Sequence, residues 1–317
     1  MKNATNSLIK CYSKLSNIGK ILVFICLALI ILYLFKCIEL PYNQINSNIE
    51  GFITDDNYIF INDNVTIFDE FYSNIYDSLV FSDIKATFEV GVLLGLLGPS
   101  QQAIVLDIGS GTGHFVNQTS KNKNIKEIIG IDISPSMIKQ SKKLYPNHNW
   151  ILGNALSSNH QFNNTFTHIT CLYFTIYYFQ DKSIFLQNAY DWLLPGGYLL
   201  LHLVNPLKFD PILPPGNPLL IVSPQKYAKD RITSTKVKFK DFDYKANFDY
   251  EGPKASFKEK FTFNNGKVRE QQHNLYMEDI DTITNLAQQT GFILHSIVDM
   301  VKATYENQYI YIFSKPN

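Results

Sequence analysis

Three glycines at alternate positions follow an apolar run that contains an acid: Val105-Leu106-Asp107-Ile108-Gly109-Ser110-Gly111-Thr112-Gly113. Glycines placed this way let the backbone turn through positive φ and approach a ligand closely. A helix beginning near His114 then aims its unpaired N–H groups at that ligand. A dinucleotide fingerprint requires G-x-G-x-x-G, whose third glycine would fall at His114, so the spacing counts against a pyrophosphate. A second apolar stretch, Ile128-Ile129-Gly130-Ile131-Asp132, ends in a carboxylate 19 residues beyond Gly113. In a doubly wound sheet an acid at that strand end faces the ribose hydroxyls of a nucleoside held over the first loop. The expected ligand is therefore a nucleoside with no demonstrated phosphate requirement.

Two more signals follow in order, Gly153-Asn154-Ala155 after a short strand and Leu194-Pro195-Gly196-Gly197-Tyr198 before a leucine-rich one. Together with the glycine loop and Gly130-Ile131-Asp132-Ile133-Ser134-Pro135, they resemble class I S-adenosylmethionine-dependent methyltransferases across roughly residues 70 to 315. The resemblance implies a small-molecule type, weakly like the amino-sugar N-methyltransferases, with S-adenosyl-L-methionine as cofactor.

It also implies roles. Asp107, Gly109, Ser110, Gly111 and Gly113 would meet the methionine part of the cofactor, and Asp132 the ribose. Ile133 would lie under the adenine, with Asn154 and the backbone N–H of Ala155 at the ring edge. Asn154 stands where relatives commonly carry Asp, although an amide oxygen can still accept from an adenine amino group. Thr167-His168 replaces a frequent Phe-Asp pair. Cys171 and Tyr173 fall beside the expected methyl group, and Tyr178 takes the place of a substrate-site histidine. A tyrosine there can orient an acceptor but is a poor base at neutral pH, its reference pKa being about 10. Tyr76, with Tyr72, precedes the glycine loop and is expected at the cofactor mouth, although core packing is the plainer role for both.

Methyl transfer is an in-line displacement that needs alignment, exclusion of water and, for a protonated acceptor, a base. His202 is the preferred base, because it falls at the C-terminal end of the fifth strand, where open α/β sheets hold their ligands. Lys85 could neutralise a carboxylate, but an exposed helix lysine is the plainer reading. The seven histidines are scattered and no cysteine pair has ligand spacing, so no metal is expected.

Several elements must position these residues. Helical spacing of Ile75, Leu79, Phe88, Val92 and Leu96 predicts a helix over 68–97. Strands at 103–107, 127–131, 149–152, 167–173 and 198–204 alternate with helices at 113–121, 135–144 and 182–193. This is the pattern of a Rossmann-like, doubly wound, seven-stranded, mostly parallel sheet covered on both faces. After the proline-rich stretch 205–224 the pattern turns to strands, and an antiparallel insertion over 206–277 follows the fifth strand. A phase flip near Lys240-Asp241 predicts a bulge or turn, and Asn264-Asn265-Gly266 a hairpin. A helix over 278–290 and strands at 292–300 and 307–313 close the chain. The insertion would cover the substrate. Residues 226–270 hold twelve Lys/Arg against seven Asp/Glu, which reads as a solvated face or as attraction for an anionic substrate or lipid headgroup.

The whole chain of 317 residues balances 28 Lys+Arg against 28 Asp+Glu, so no nucleic-acid partner is expected. Residues 21–35 are fifteen consecutive apolar positions between Lys20 and Lys36. With snorkelling lysines, 21–40 reads as a transmembrane anchor, preceded by a tail over 1–20 and followed by a linker over 41–67 that includes a short strand at 58–61. The methyltransferase domain is then 68–317. Four lysines before the span put the N-terminus inside by the positive-inside rule, whereas a cytosolic cofactor supply argues the other way. The side of the membrane stays open at this level. Three alternatives remain for function: methylation of a small molecule on N or O, methylation of a membrane lipid, or a non-catalytic binding protein that kept the fold.

Overall fold

The computed structural model describes residue 20, residues 57–98, 101–216 and 225, and residues 228–317. The chain divides into two units, Met1–Thr54 and Asp55–Asn317, and the description below concerns the second. The anchor expected over 21–40 lies outside the described residues. Among those described, no helix is long and apolar enough to cross a membrane.

A seven-stranded sheet forms the frame. In chain order its strands are β2 (Ala103–Ile108), β3 (Ile125–Asp132), β4 (Asn149–Leu152), β5 (Phe166–Cys171), β6 (Leu193–Val204), β11 (Ile293–Asp299) and β12 (Gln308–Ser314), arranged β11-β12-β6-β5-β2-β3-β4. The five central and edge strands from β6 to β4 run parallel, and β12 runs antiparallel to both its neighbours. This is the mostly parallel, doubly wound sheet expected. Helices α3 (His114–Thr119), α4 (Pro135–Leu144), α5 (Lys182–Trp192) and α6 (Ile280–Thr290) connect the strands.

Both faces of the sheet are covered, and strand alternation decides which side chain meets which layer. Leu106, Ile169, Cys171, Leu199 and Leu201 share one core with Phe185, Ala189 and Trp192 of α5. Val105, Leu200, Ile310 and Ile312 share the other with Phe115 and Leu93.

The region before β2 departs from the single helix expected over 68–97. It forms α1 (Glu70–Val80) and α2 (Asp83–Gly95), broken at Phe81-Ser82. Asp69 caps α1 by accepting from Tyr72 N–H, and the Ser82 hydroxyl caps α2 by accepting from Lys85 N–H. A serine that can satisfy free N–H groups favours a new helix start over continuation.

The insertion is β7 (Ser234–Lys238), β8 (Phe242–Glu251), β9 (Lys254–Phe263) and β10 (Val268–Tyr276) in a second, five-stranded sheet. Its fifth member is β1 (Tyr58–Ile61), which pairs in parallel with β10 and so ties part of the expected linker to the insertion. The phase flip is a turn in which Phe239 N–H donates to Phe242 carbonyl. Gly266, at φ 85°, closes the predicted hairpin between β9 and β10. This sheet packs Phe242, Tyr244, Ala246 and Phe261 against Tyr72 and Leu79 of α1. A small aromatic core thereby joins the N-terminal helices to the insertion.

Candidate active site

One cavity of about 350 Å³ runs between the C-terminal ends of the parallel strands, α1 and the insertion sheet. That size is within the range of small-molecule sites, about 300–1,000 Å³. Of the residues singled out from sequence, Gly109, Gly111, Asp132, Ile133, Asn154, Ala155, Tyr76, Tyr173 and Tyr178 line it.

The crevice end is built by backbone. Gly109 (φ 66°) and Gly111 (φ 55°) are both left-handed. Gly109 N–H donates to Ile131 carbonyl, and Gly111 N–H donates to Asp132 Oδ2 at 2.9 Å. Ser134 N–H holds the other carboxylate oxygen at 2.8 Å. Burial raises the Asp132 pKa, opposed by these N–H donors. A Cβ on Gly111 would meet only Tyr76, at 3.8 Å, so the loop leaves open room there. Asn154 turns its side-chain oxygen back to Leu156 N–H at 2.9 Å, leaving one lone pair of that oxygen and its NH2 for a ligand.

These groups fit S-adenosylmethionine. Asp132 would serve as acceptor for a ribose diol, Ile133 offers an apolar face that is 42 % exposed, and Ala155 lines the same end of the cavity.

Six expectations are corrected. Asp107 does not line the cavity; it is buried, accepts from the Thr170 hydroxyl at 2.7 Å, and is pushed up to about 7 chiefly by burial. Gly113 (φ 91°) serves packing, because a Cβ there would lie 2.3 Å from the Trp150 ring. Ser110 is buried and turns its hydroxyl toward Gly130. Cys171 points into the core beneath α5, where burial pushes its thiol far up.

His202, the preferred base, is fully buried and does not line the cavity. It shares the face of Leu200, against α2, rather than opening at the strand end. Its Nε2 pairs with Gln308 Oε1 at 3.0 Å, and Glu89 Oε1 stands 3.8 Å from Nδ1, beyond hydrogen-bond reach. Burial, with Lys85 adding to it, pushes the imidazole down to about 3, so it is neutral. Lys85 is not an exposed helix lysine either: it pairs with Glu89 at 3.1 Å and lies over the Tyr173 ring.

Apart from Tyr72, Tyr76 and Tyr178, the far end of the cavity was not foreseen. Phe68, Tyr72, Phe257 and His273 join Tyr76 and Tyr178 in an aromatic chamber. The Phe68 ring meets Tyr72, Tyr178 and His273 edge-on. Tyr178 Oη lies 2.7 Å from His273 Nδ1, and His273 Nε2 lies 2.7 Å from Glu259 Oε2. Glu259 is buried and also accepts from Tyr244 Oη and Gln271 Nε2, both at 2.6 Å. These donors hold Glu259 below the usual carboxylate range against the opposing effect of burial. One signal of this cluster was readable. β10 alternates Arg269, Gln271, His273 and Leu275 inward, so three polar side chains sit where an insertion strand normally buries apolar ones.

Comparisons with known proteins agree with this geometry. Residues 105–197 match the family described as a methyltransferase domain. A carboxy-S-adenosyl-L-methionine synthase from Nautilia profundicola is 32 % identical over 80 residues, 24 % of this chain and 33 % of that protein. The chain thus spans about a third of the length of that curated relative. Among solved structures, the CcbJ methyltransferase from Streptomyces caelestis superposes with a TM-score of 0.59 at 16 % identity, covering 80 % of this chain and 100 % of that one. An S-adenosylmethionine-dependent methyltransferase from Clostridium acetobutylicum gives 0.58 at 13 % identity, over 78 % and 97 % of the two chains. CalS10, an amino pentose methyltransferase from Micromonospora echinaspora solved with S-adenosylmethionine bound, gives 0.54 at 16 %, over 73 % and 90 %. At such identities these structures speak for the fold. Residues 105–197 are thus similar to a methyltransferase domain, and the fold of the described chain is that of S-adenosylmethionine-dependent methyltransferases.

Proposed function

We propose that this chain transfers a methyl group from S-adenosylmethionine to a small-molecule N or O acceptor held in the aromatic chamber. The observation that carries the reading is the continuity of one cavity. The glycine loop and Asp132 line one end, while Tyr178, His273, Phe257 and Leu275 line the other. Among the described lining residues there is no Lys or Arg. None of the described basic residues of 226–270 lines the cavity, so their excess does not argue for an anionic acceptor there.

When bound, the cofactor supplies an electrophilic methyl on a sulfonium. The residues of the chain do the rest. Asp132 and the Gly109–Gly111 backbone orient the donor, the aromatic walls exclude water, and Tyr178 presents a hydroxyl at the acceptor end. Alignment of this kind is worth several kcal/mol of barrier, about 7–11 kcal/mol at its upper range.

Calorimetry with S-adenosylhomocysteine tests the first half, with binding expected and weakened in Asp132→Ala. Formation of S-adenosylhomocysteine from S-adenosylmethionine, followed by mass spectrometry over a panel of amines and hydroxyl compounds, tests the second. A folded chain that binds no cofactor overturns the reading.

A further inference from the structure

The chamber presents one chain of hydrogen bonds that the cofactor crevice does not use. Its outer end is Tyr178, on the turn after β5, and its inner end is Glu259 on β9, with His273 of β10 between them. The direction of each bond follows from the acid. Glu259 is buried with three donors converging on it and is held ionised, so it can only accept. His273 must then carry its proton on Nε2. Its Nδ1 is left as an acceptor, which takes the Tyr178 hydroxyl proton at 2.7 Å. Tyr178 thereby has its proton directed away from the chamber and its oxygen lone pairs directed into it. Tyr178 and His273 line the cavity, and Glu259 stands behind them.

We propose that Tyr178, His273 and Glu259 form a proton relay for an uncharged phenolic acceptor, so that the enzyme methylates oxygen. This rests on the methyltransferase reading given above. As the acceptor oxygen forms its bond to the methyl carbon, the S–CH3 bond breaks and its electron pair stays on sulfur. The acceptor's proton passes to Tyr178 Oη while the Tyr178 proton passes to His273 Nδ1. The net proton is held as imidazolium against the Glu259 carboxylate and later leaves to water. Tyr178 is the catalytic residue. His273 receives the proton through it, and Glu259 is a positioning residue that fixes the tautomer and balances the charge.

The acceptor class follows from chemistry on both sides. A neutral amine attacks with its lone pair and needs no proton removed first, whereas a hydroxyl must lose its proton as the bond forms. A phenol, near the reference tyrosine pKa of about 10, exchanges a proton with Tyr178 at little cost. Burial raises the Tyr178 hydroxyl well above its ordinary value, which favours passing the proton onward over storing a phenolate there. The walls suit an aromatic ring: Phe68, Tyr72, Phe257 and Leu275 surround the relay. The titratable groups facing the imidazole are Tyr178 from the turn, Tyr72 from α1 and Glu259 from β9, with Tyr244 of β8 behind the carboxylate.

The test uses the full chain saturated with S-adenosylhomocysteine, with 2-naphthol as probe. Bound 2-naphthol is expected to ionise about one pH unit or more below its value in water, read from its naphtholate absorbance. That shift should vanish in Tyr178→Phe and in His273→Gln, and shrink in Glu259→Gln, while calorimetric affinity for S-adenosylhomocysteine stays unchanged. With S-adenosylmethionine, 2-naphthol should yield its methyl ether, and His273→Gln should lower kcat by roughly 10²–10⁴-fold. Tyr178→Phe keeps the ring contacts if His273→Gln fails to fold. Failure of 2-naphthol to bind, an unshifted titration, or methylation of 2-naphthylamine in its place overturns the relay. Loss of S-adenosylhomocysteine binding by the wild-type chain overturns the methyltransferase reading instead.

Discussion

Gly111 donates its backbone N–H to Asp132 Oδ2 at 2.9 Å, which ties the glycine loop to the end of the next strand. The carboxylate at the end of β3 is thus itself held by the loop that follows β2. Any change at one residue is felt at the other.

Asp132→Ala removes an acceptor that the loop and a ligand share. Hydrogen bonds to a charged group are worth about 1.5–3 kcal/mol, so S-adenosylhomocysteine should bind roughly 10- to 100-fold more weakly or worse. Isothermal calorimetry measures this. Unchanged affinity would separate Asp132 from the cofactor.

Gly111→Ala and Gly113→Ala should part company. Both place a side chain at positive φ, but the Cβ of the first enters open space, whereas that of the second strikes Trp150 at 2.3 Å. Gly113→Ala should cost more stability, on the order of 2–4 kcal/mol, in urea unfolding. Gly111→Ala should cost less stability and more cofactor affinity.

Lys182 is buried and donates to Phe179 carbonyl, Tyr276 carbonyl and Glu278. It therefore clamps the segment after Tyr178 to the strand end after His273. Burial lowers its pKa, opposed by Glu278. Lys182→Met leaves the buried carbonyls and the carboxylate without a partner and should destabilise the fold by about 3–5 kcal/mol, read as a shift of the urea midpoint. Loosening of the Tyr178–His273 pair should lower turnover beyond the loss of folded protein.

His202 gives stability a sign with pH. Its folded pKa, about 3, lies below the ordinary 6.5, so the unfolded chain binds the extra proton between those values. Its contribution is complete above about pH 6.5 and is lost as pH falls toward 3, at about 1.4 kcal/mol per pH unit. His168, pushed to about 4 by burial, adds the same sign. Asp107 opposes both, since its pKa is raised to about 7 and the folded state takes up its proton first on acidification. Comparing wild type with His202→Gln isolates one contribution: the stability difference between them should shift steadily in favour of the variant from pH 6.5 to 4.5. A difference that does not change with pH would contradict the burial argument.

The frame was legible because its signals are local. The glycine loop, the acid closing β3, Ser134-Pro135 opening α4 and the Asn264–Gly266 turn each state a backbone demand within a few residues. The helix break at Ser82 was not, because the periodicity of apolar residues carries across it.

Strand alternation separated the right residue type from the right place. His202 sits near a strand end, where ligands gather, but one position of parity sends it against α2. His273, the imidazole that reaches the chamber, lies in the insertion, where the only local signal is the polar alternation of β10.

What the sequence by itself determined is the crevice of Gly109, Gly111, Asp132 and Asn154, because its parts lie within about 50 residues and rest on backbone conformations that only certain residues adopt. The pairing that builds the aromatic chamber was decided by tertiary structure. Tyr178 and His273, 95 positions apart, meet only when the insertion sheet docks on α1. Contacts between elements that are distant in the chain come from burial of apolar surface, which has no direction along the sequence.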